Sequence, residues 1–193
     1  MPEPTIDDRL AELGLTLPGP YPPHDPLDAV VVHGGVARTS GQLPRDEDGR
    51  LVHPGILGRD LTVDEGAEAA SWCARNALSV LRAELGDLDR IERVLTVLGF
   101  VACTADFDQQ ASVVDGASRL LADVFGPAGR HSRSAIGVAA LPRGGAVEIE
   151  VAVALRPRRQ PERAGSRVRS SARRAAAAGM STPAARAAAM GAA

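Results

Sequence analysis

The sequence predicts an α/β (α+β) sandwich, a mixed sheet with two helices on one face, in the order strand, strand, helix, strand, helix, strand, strand. Three observations carry this expectation. Apolar residues alternate with a period of two in paired runs, residues 29–33 with 36–40 and residues 131–140 with 146–155, as half-buried strands do. Two stripes of apolar residues at helical spacing lie between the pairs. Residues 91–103, rich in Val, Leu, Ile and Phe, separate the stripes and read as a buried strand.

The elements follow in order. Ile6, Leu10 and Leu13 recur at i, i+4 and i+7 after Thr5, and Gly14 stops the short helix they define. LPGPYPPHDP then holds too many prolines for regular structure and acts as an extended connector. His33-Gly34-Gly35 marks the turn of the first hairpin, and Gly41-Gln42-Leu43-Pro44 closes its second strand. Residues 45–61 are polar, with Asp48-Gly49 and Pro54-Gly55 turns, and are expected on a surface loop. Thr62-Val63-Asp64-Glu65 fits a capping box that opens a helix carrying Ala67, Ala70, Cys73, Ala74, Ala77, Leu78, Leu81 and Leu85, ended by Gly86. A second helix is expected from Asp106, with Ala111, Val114, Leu121 and Phe125 inward and Gly126-Pro127 as its stop.

Composition bounds the rest. A chain of 193 residues, 45% hydrophobic, suits one domain with appendages: an N-terminal helix and connector (1–25), the body (26–155) and a tail (156–193). The tail, dominated by Arg, Ala, Ser and Pro, is expected to be disordered. It holds nine arginines and one acid, against 13 and 23 in residues 1–155. Its charge permits weak, salt-sensitive nucleic-acid contact. No run approaches the ~18 apolar residues of a membrane span, so a cytoplasmic protein without membrane contact is expected. Lysine is absent, which excludes a Schiff base on a lysine side chain. Cys73 and Cys103 lack metal or disulfide spacing and read as buried small hydrophobes.

The charged residues of 131–155 define the site candidate. A tight turn pairing Leu141 with Ala146 would set Ala139 opposite Glu148, Gly137 opposite Glu150 and Arg133 opposite Ala154. Val147, Ile149, Val151 and Val153 then form one core face, and Ile136, Val138 and Ala140 the other strand's. Arg133 and both glutamates share the opposite face, yet six residues at roughly 3.3 Å each hold them about 20 Å apart. Within one chain they cannot meet.

Four pieces stand in a fixed order: Thr39-Ser40-Gly41-Gln42-Leu43-Pro44, Gly99-Phe100-Val101, Arg133-Ser134 with Val138-Ala139-Ala140-Leu141-Pro142, and Val147-Glu148-Ile149-Glu150. Over residues 26–155 this pattern resembles the Rid family (reactive intermediate deaminase, also called YjgF-like), in particular a long-form subgroup often named endoribonuclease or Rid family protein. The resemblance implies a ββαβαββ fold similar to bacillar chorismate mutase and a homotrimer with intersubunit clefts. It also implies cofactor-free, metal-free hydrolysis of a 2-imino acid to a 2-keto acid and ammonia. Arg133 matches the arginine that holds the substrate carboxylate, and Glu148 the glutamate that positions water. Ser40, Gly41 and the Ala135 carbonyl match further substrate contacts. Leu27 stands where the family has an aromatic, Asp115 where it has a helix asparagine, and Ala135 where a cysteine is common.

The chemistry suits these residues without the family. A guanidinium presents a planar fork to a carboxylate, and a glutamate can orient water and shuttle a proton. Three other readings stay open: an Arg133–Glu148 ion pair that merely seals an oligomer interface, a non-catalytic trimer that binds small carboxylates, and an endoribonuclease. The acidic body and the lack of lysine oppose the last. His131 lies two residues before Arg133, within reach of a cleft, although an exposed strand end is its commoner place. His24, His33 and His53 have no assigned role.

Overall fold

The computed structural model describes residues 4–21, 23 and 25–157. The expectations for the tail beyond 157, and for His24, lie outside the described residues. Helix α1 (Ile6–Glu12) is capped by Thr5 and Asp8, whose side chains satisfy each other's backbone N–H groups. Strands β1 (Val30–His33) and β2 (Val36–Thr39) form the first hairpin. Helix α2 (Val63–Leu85) starts on the Thr62–Glu65 capping box and ends at Gly86 in the left-handed conformation. Strand β3 (Ile91–Ala102), helix α3 (Gln110–Phe125), strand β4 (Ser132–Val138) and strand β5 (Val147–Leu155) complete the predicted order.

Five strands form one mixed sheet in the order β1-β2-β5-β3-β4, with α2 and α3 packed together and against it. Alternation in β5 behaves as expected: Val147, Ile149, Val151 and Val153 are buried under the helices. Among the described residues no helix is long and apolar enough to cross a membrane.

The closing hairpin does not exist. β4 pairs parallel with β3, and β5 pairs antiparallel with the other edge of β3, so that β3 lies between them. The physical reason is α3. A strand, a crossover helix and a next strand bring the two strands side by side in parallel, and this takes the position that a hairpin would have used. Residues 141–145 form a 3₁₀ turn at Pro142–Gly144 that carries the chain past β3 rather than back along β4.

That change reverses the faces of β4. Arg133 pairs with Val97, and Ala135 with Gly99, both buried on the helix side. Ile136 pairs with Phe100 on the open face and is 44% exposed. The expectation that Ile136, Val138 and Ala140 form a core face is therefore corrected.

Two smaller corrections concern boundaries. Helix α3 begins at Gln110, not Asp106, because a turn intervenes in which the Phe107 amide bonds the Thr104 carbonyl. Ala111, expected inward, is exposed. The segment 45–61 is not confined to the surface: Leu57 is fully buried and joins the sheet margin through bridges to Leu61 and Cys103. Cys73 is buried as expected, with its thiol on the Val147 carbonyl at 3.4 Å, whereas Cys103 is only half-buried.

Helix α3 approaches α2 closely at Gly116, where a Cβ would lie 1.8 Å from the Ala67 carbonyl oxygen. Backbone cannot yield as a flexible side chain does. Gly116→Ala is expected to cost about 2 kcal/mol or more by forcing the helices apart, seen as a lower urea midpoint. An unchanged midpoint would contradict this packing.

Candidate functional site

The site has two halves on opposite faces of the sheet. The first surrounds Glu148. Its partner across β3 is Phe100, and burial together with the neighbouring Glu150 carboxylate raises its pKa above the ordinary 4.5. Among the described residues Glu148 forms no ion pair.

Backbone pairing beyond the end of β2 builds the wall beside this carboxylate. The Gln42 amide donates to the Ile149 carbonyl at 2.9 Å, and the Ile149 amide donates back at 3.0 Å. This two-bond bridge lays Ser40-Gly41-Gln42 along β5, with the Gln42 side-chain amide donating to the Ser40 carbonyl and hydroxyl. Gly41 then passes so near Glu148 that a Cβ would sit 1.7 Å from Oε1. The glycine is required by the carboxylate.

A cavity of about 330 Å³ opens here, lined by Glu148, Ser40, Gly41, Gln42 and the apolar Leu27, Leu43 and Pro142. Three residues that sequence reasoning passed over also line it: Tyr21, Arg45 and Arg143. Tyr21 comes from the proline-rich connector, donates its hydroxyl to the Asp46 carbonyl and stacks under the Arg45 guanidinium, 4.9 Å from the ring centroid. An aromatic ring is thus present although Leu27 replaces the aromatic expected in the first strand. A lone tyrosine within a run of prolines was the available signal. Asn76, 2% exposed, anchors the same wall by donating to the Arg45 carbonyl at 2.8 Å.

The second half surrounds Arg133 on β4, beneath α3. Its Nη1 donates to Asp115 Oδ1 at 2.7 Å and to Ser118 Oγ at 3.0 Å. His131 braces that serine: Nε2 lies 3.0 Å from Ser118 Oγ and Nδ1 lies 2.6 Å from the Gly129 carbonyl. A consistent assignment has Nδ1–H donating to the carbonyl and the serine hydroxyl donating to Nε2. His131 is therefore part of the arginine's support and not merely an exposed strand end. Arg119 adds a longer contact to Asp115 at 3.7 Å.

Both bonds leave Arg133 through Nη1. Its Nε and Nη2 make no hydrogen bond among the described residues, and together they form the edge that receives a carboxylate in two parallel bonds. Asp115 thus fixes the guanidinium from one side. Ala135, two residues along β4, lies on the same face beside Gly99.

The six residues singled out by sequence fall into two groups. Ser40, Gly41 and Glu148 come together, and Arg133, Asp115 and Ala135 cluster around β4 and α3. The halves do not meet within the chain. Arg133 faces the helices, whereas Glu148 extends from the open side of the sheet. The separation expected along one face of a hairpin is instead a separation across the sheet.

Known proteins share this architecture. The family described as "YjgF/chorismate_mutase-like, putative endoribonuclease" matches residues 7–149. Protein TCP17 of Trypanosoma cruzi is 44% identical over 148 residues, covering 76% of this chain and 92% of that protein. The crystal structure of Atu1372 from Agrobacterium tumefaciens, a protein of unknown function, superposes with a TM-score of 0.73 at 40% identity, over 79% of this chain and 94% of the other. A "putative endoribonuclease" from Shewanella oneidensis superposes with a TM-score of 0.76 at 32% identity, over 79% of this chain and all of the other. With its strand–strand–helix–strand–helix–strand–strand order and a family match over most of its length, the chain belongs to the YjgF/chorismate-mutase-like family, the Rid proteins.

Proposed function

We propose that this chain is a cofactor-free hydrolase of reactive imines and enamines, acting in a cleft between two copies of itself in a homotrimer. One observation carries the reading: among the described residues Glu148 is half-buried without an ion-pair partner, while Arg133, on the other side of the sheet, keeps one edge of its guanidinium free. Glu148 forms no ion pair among the described residues, and burial and Glu150 raise its pKa. Arg133 holds out an unused bidentate edge from the other side of the sheet. Apolar side chains remain uncovered on the open face, with Ile136 44% and Val31 57% exposed, and packing against other copies would bury them.

In this mechanism Arg133 of one subunit binds the carboxylate of a 2-imino acid, which fixes the imine carbon beside Glu148 of the next. Glu148 takes a proton from water as the oxygen attacks that carbon, giving a carbinolamine. Glu148 returns that proton to nitrogen and then takes the hydroxyl proton as the C–N bond breaks, so that ammonia leaves behind the 2-keto acid. The Ser40–Gly41 backbone and the Ala135 carbonyl supply fixed dipoles to the imine and to the departing nitrogen. The name endoribonuclease borne by relatives has a weaker basis here, because residues 1–155 carry 23 acids against 13 arginines, a balance that opposes a phosphate backbone.

Ammonia release from a panel of freshly generated 2-imino acids tests the proposal. Glu148→Gln is expected to reduce turnover about a hundredfold or more while retaining carboxylate binding. Arg133→Ala should instead raise KM about tenfold or more, since it removes a charged hydrogen-bonding partner of the substrate. Mixing the two impaired variants should give wild-type clefts at about one quarter of the sites, because each cleft takes one residue from each neighbour. Failure of the mixture to regain activity, with oligomers exchanging freely, would refute the shared cleft. Wild type matching the uncatalysed rate on every imine would leave only a carboxylate-binding trimer.

The pH profile follows from the same carboxylate. Glu148 must be ionised to accept a proton, and burial raises its pKa above 4.5. Activity is therefore present above that raised value and lost as pH falls through it. The acid limb of kcat/KM should lie above 4.5 and vanish from the residual activity of Glu148→Gln.

Gly41→Ala separates site from fold. The atoms nearest the added methyl are Oε1, Cδ and Cγ of Glu148, a flexible side chain that can swing away. Thermal stability should change by less than about 1 kcal/mol, while turnover falls as sharply as in Glu148→Gln. Full turnover in this variant would show that the Glu148 position is not used.

A further inference from the structure

The cavity around Glu148 contains two cations for which the hydrolytic reaction has no use. Arg45 is held in place at both ends, by Asn76 on its carbonyl and by the Tyr21 ring against its guanidinium. Arg143 stands in the left-handed backbone region, φ 59° and ψ 14°, within the turn that leads into β5. For a residue with a Cβ this conformation carries a cost, and glycines lie immediately after it in the chain.

Among the described residues neither arginine pairs with a carboxylate, although six ion pairs form elsewhere. Arg45, Arg143 and Glu148 are the charged residues of the cavity wall, so the lining is net positive even with Glu148 ionised. Between them lies an apolar stretch of Leu27, Leu43 and Pro142. The wall is therefore basic at one part and oily beside it, which suits a short carbon chain ending in an anion.

We propose that Arg45 and Arg143 form a second anion subsite, so that the cleft prefers 2-imino acids with an acidic side chain, that is, dicarboxylates. Arg133 of the neighbouring subunit takes the α-carboxylate, Glu148 serves the imine carbon between the two, and Arg45 with Arg143 takes the distal carboxylate. The location of the α-carboxylate rests on the function proposed above. The distal subsite rests on this cavity alone.

Equilibrium binding of two stable keto acids, 2-oxoglutarate and 2-oxohexanoate, to the full-length protein tests the subsite without any turnover. They have similar length and differ in the distal carboxylate. Wild type should bind 2-oxoglutarate about tenfold or more tightly, the worth of one charged hydrogen bond. Arg45→Gln and Arg143→Gln should each shrink that preference, and the double variant should abolish it with 2-oxohexanoate affinity unchanged. Both side chains are at least partly exposed, so the folded state survives the changes, and circular dichroism checks it. Equal affinity in wild type, or a preference that persists in the double variant, overturns the proposal. If imine hydrolysis fails everywhere while the binding preference holds, the deaminase reading falls and the anion subsite stands.

Discussion

The placement of β3 between β4 and β5 is the constraint on which the rest of the site depends. α3 crosses from the end of β3 to the start of β4, which makes those two strands parallel neighbours and leaves the far edge of β3 to β5. Pleating then decides where the charges point. Arg133, level with buried Val97, turns toward α3, and Glu148, level with Phe100, turns to the open face. One strand thus sets a guanidinium and a carboxylate on opposite faces of the sheet.

That separation is costly for each half, and the chain offsets it differently on the two sides. Around Arg133 the charge is met by Asp115 and Ser118, with His131 behind the serine. A partly buried cation with two good acceptors is well tolerated. Around Glu148 no ion pair forms among the described residues, and burial and Glu150 push its pKa upward. Functional sites commonly retain such local destabilisation. The bridge between Gln42 and Ile149 and the bare Cα of Gly41 show that the surrounding backbone is built to accommodate it.

Much of this was legible in the residues themselves. The capping box predicted at Thr62 forms, Thr5 starts α1 with a capping box of its own, and Gly86 ends α2 in the left-handed conformation, because caps depend on groups three or four residues apart. The first hairpin was readable from His33-Gly34-Gly35 for the same reason. The second was misread because Leu141-Pro142-Arg143-Gly144-Gly145 satisfies the local chemistry of a turn without saying which strand lies alongside. The start of α3 was placed early, since Asp106 looks like a cap and the turn stabilised by the Thr104 carbonyl was not visible in sequence.

Sequence alone determined the element order, the buried face of β5, and the residue types from which a site could be made. These follow from periodicity and from short-range hydrogen bonding, which act along the chain. The tertiary structure decided which strands are neighbours, and hence that Arg133 and Glu148 occupy opposite faces. It also decided that Tyr21, Arg45 and Arg143, from three distant segments, share one cavity. Strand neighbours and cavity walls are set by the packing of α2 and α3 on the sheet, a free-energy minimum of the whole domain that no local pattern encodes.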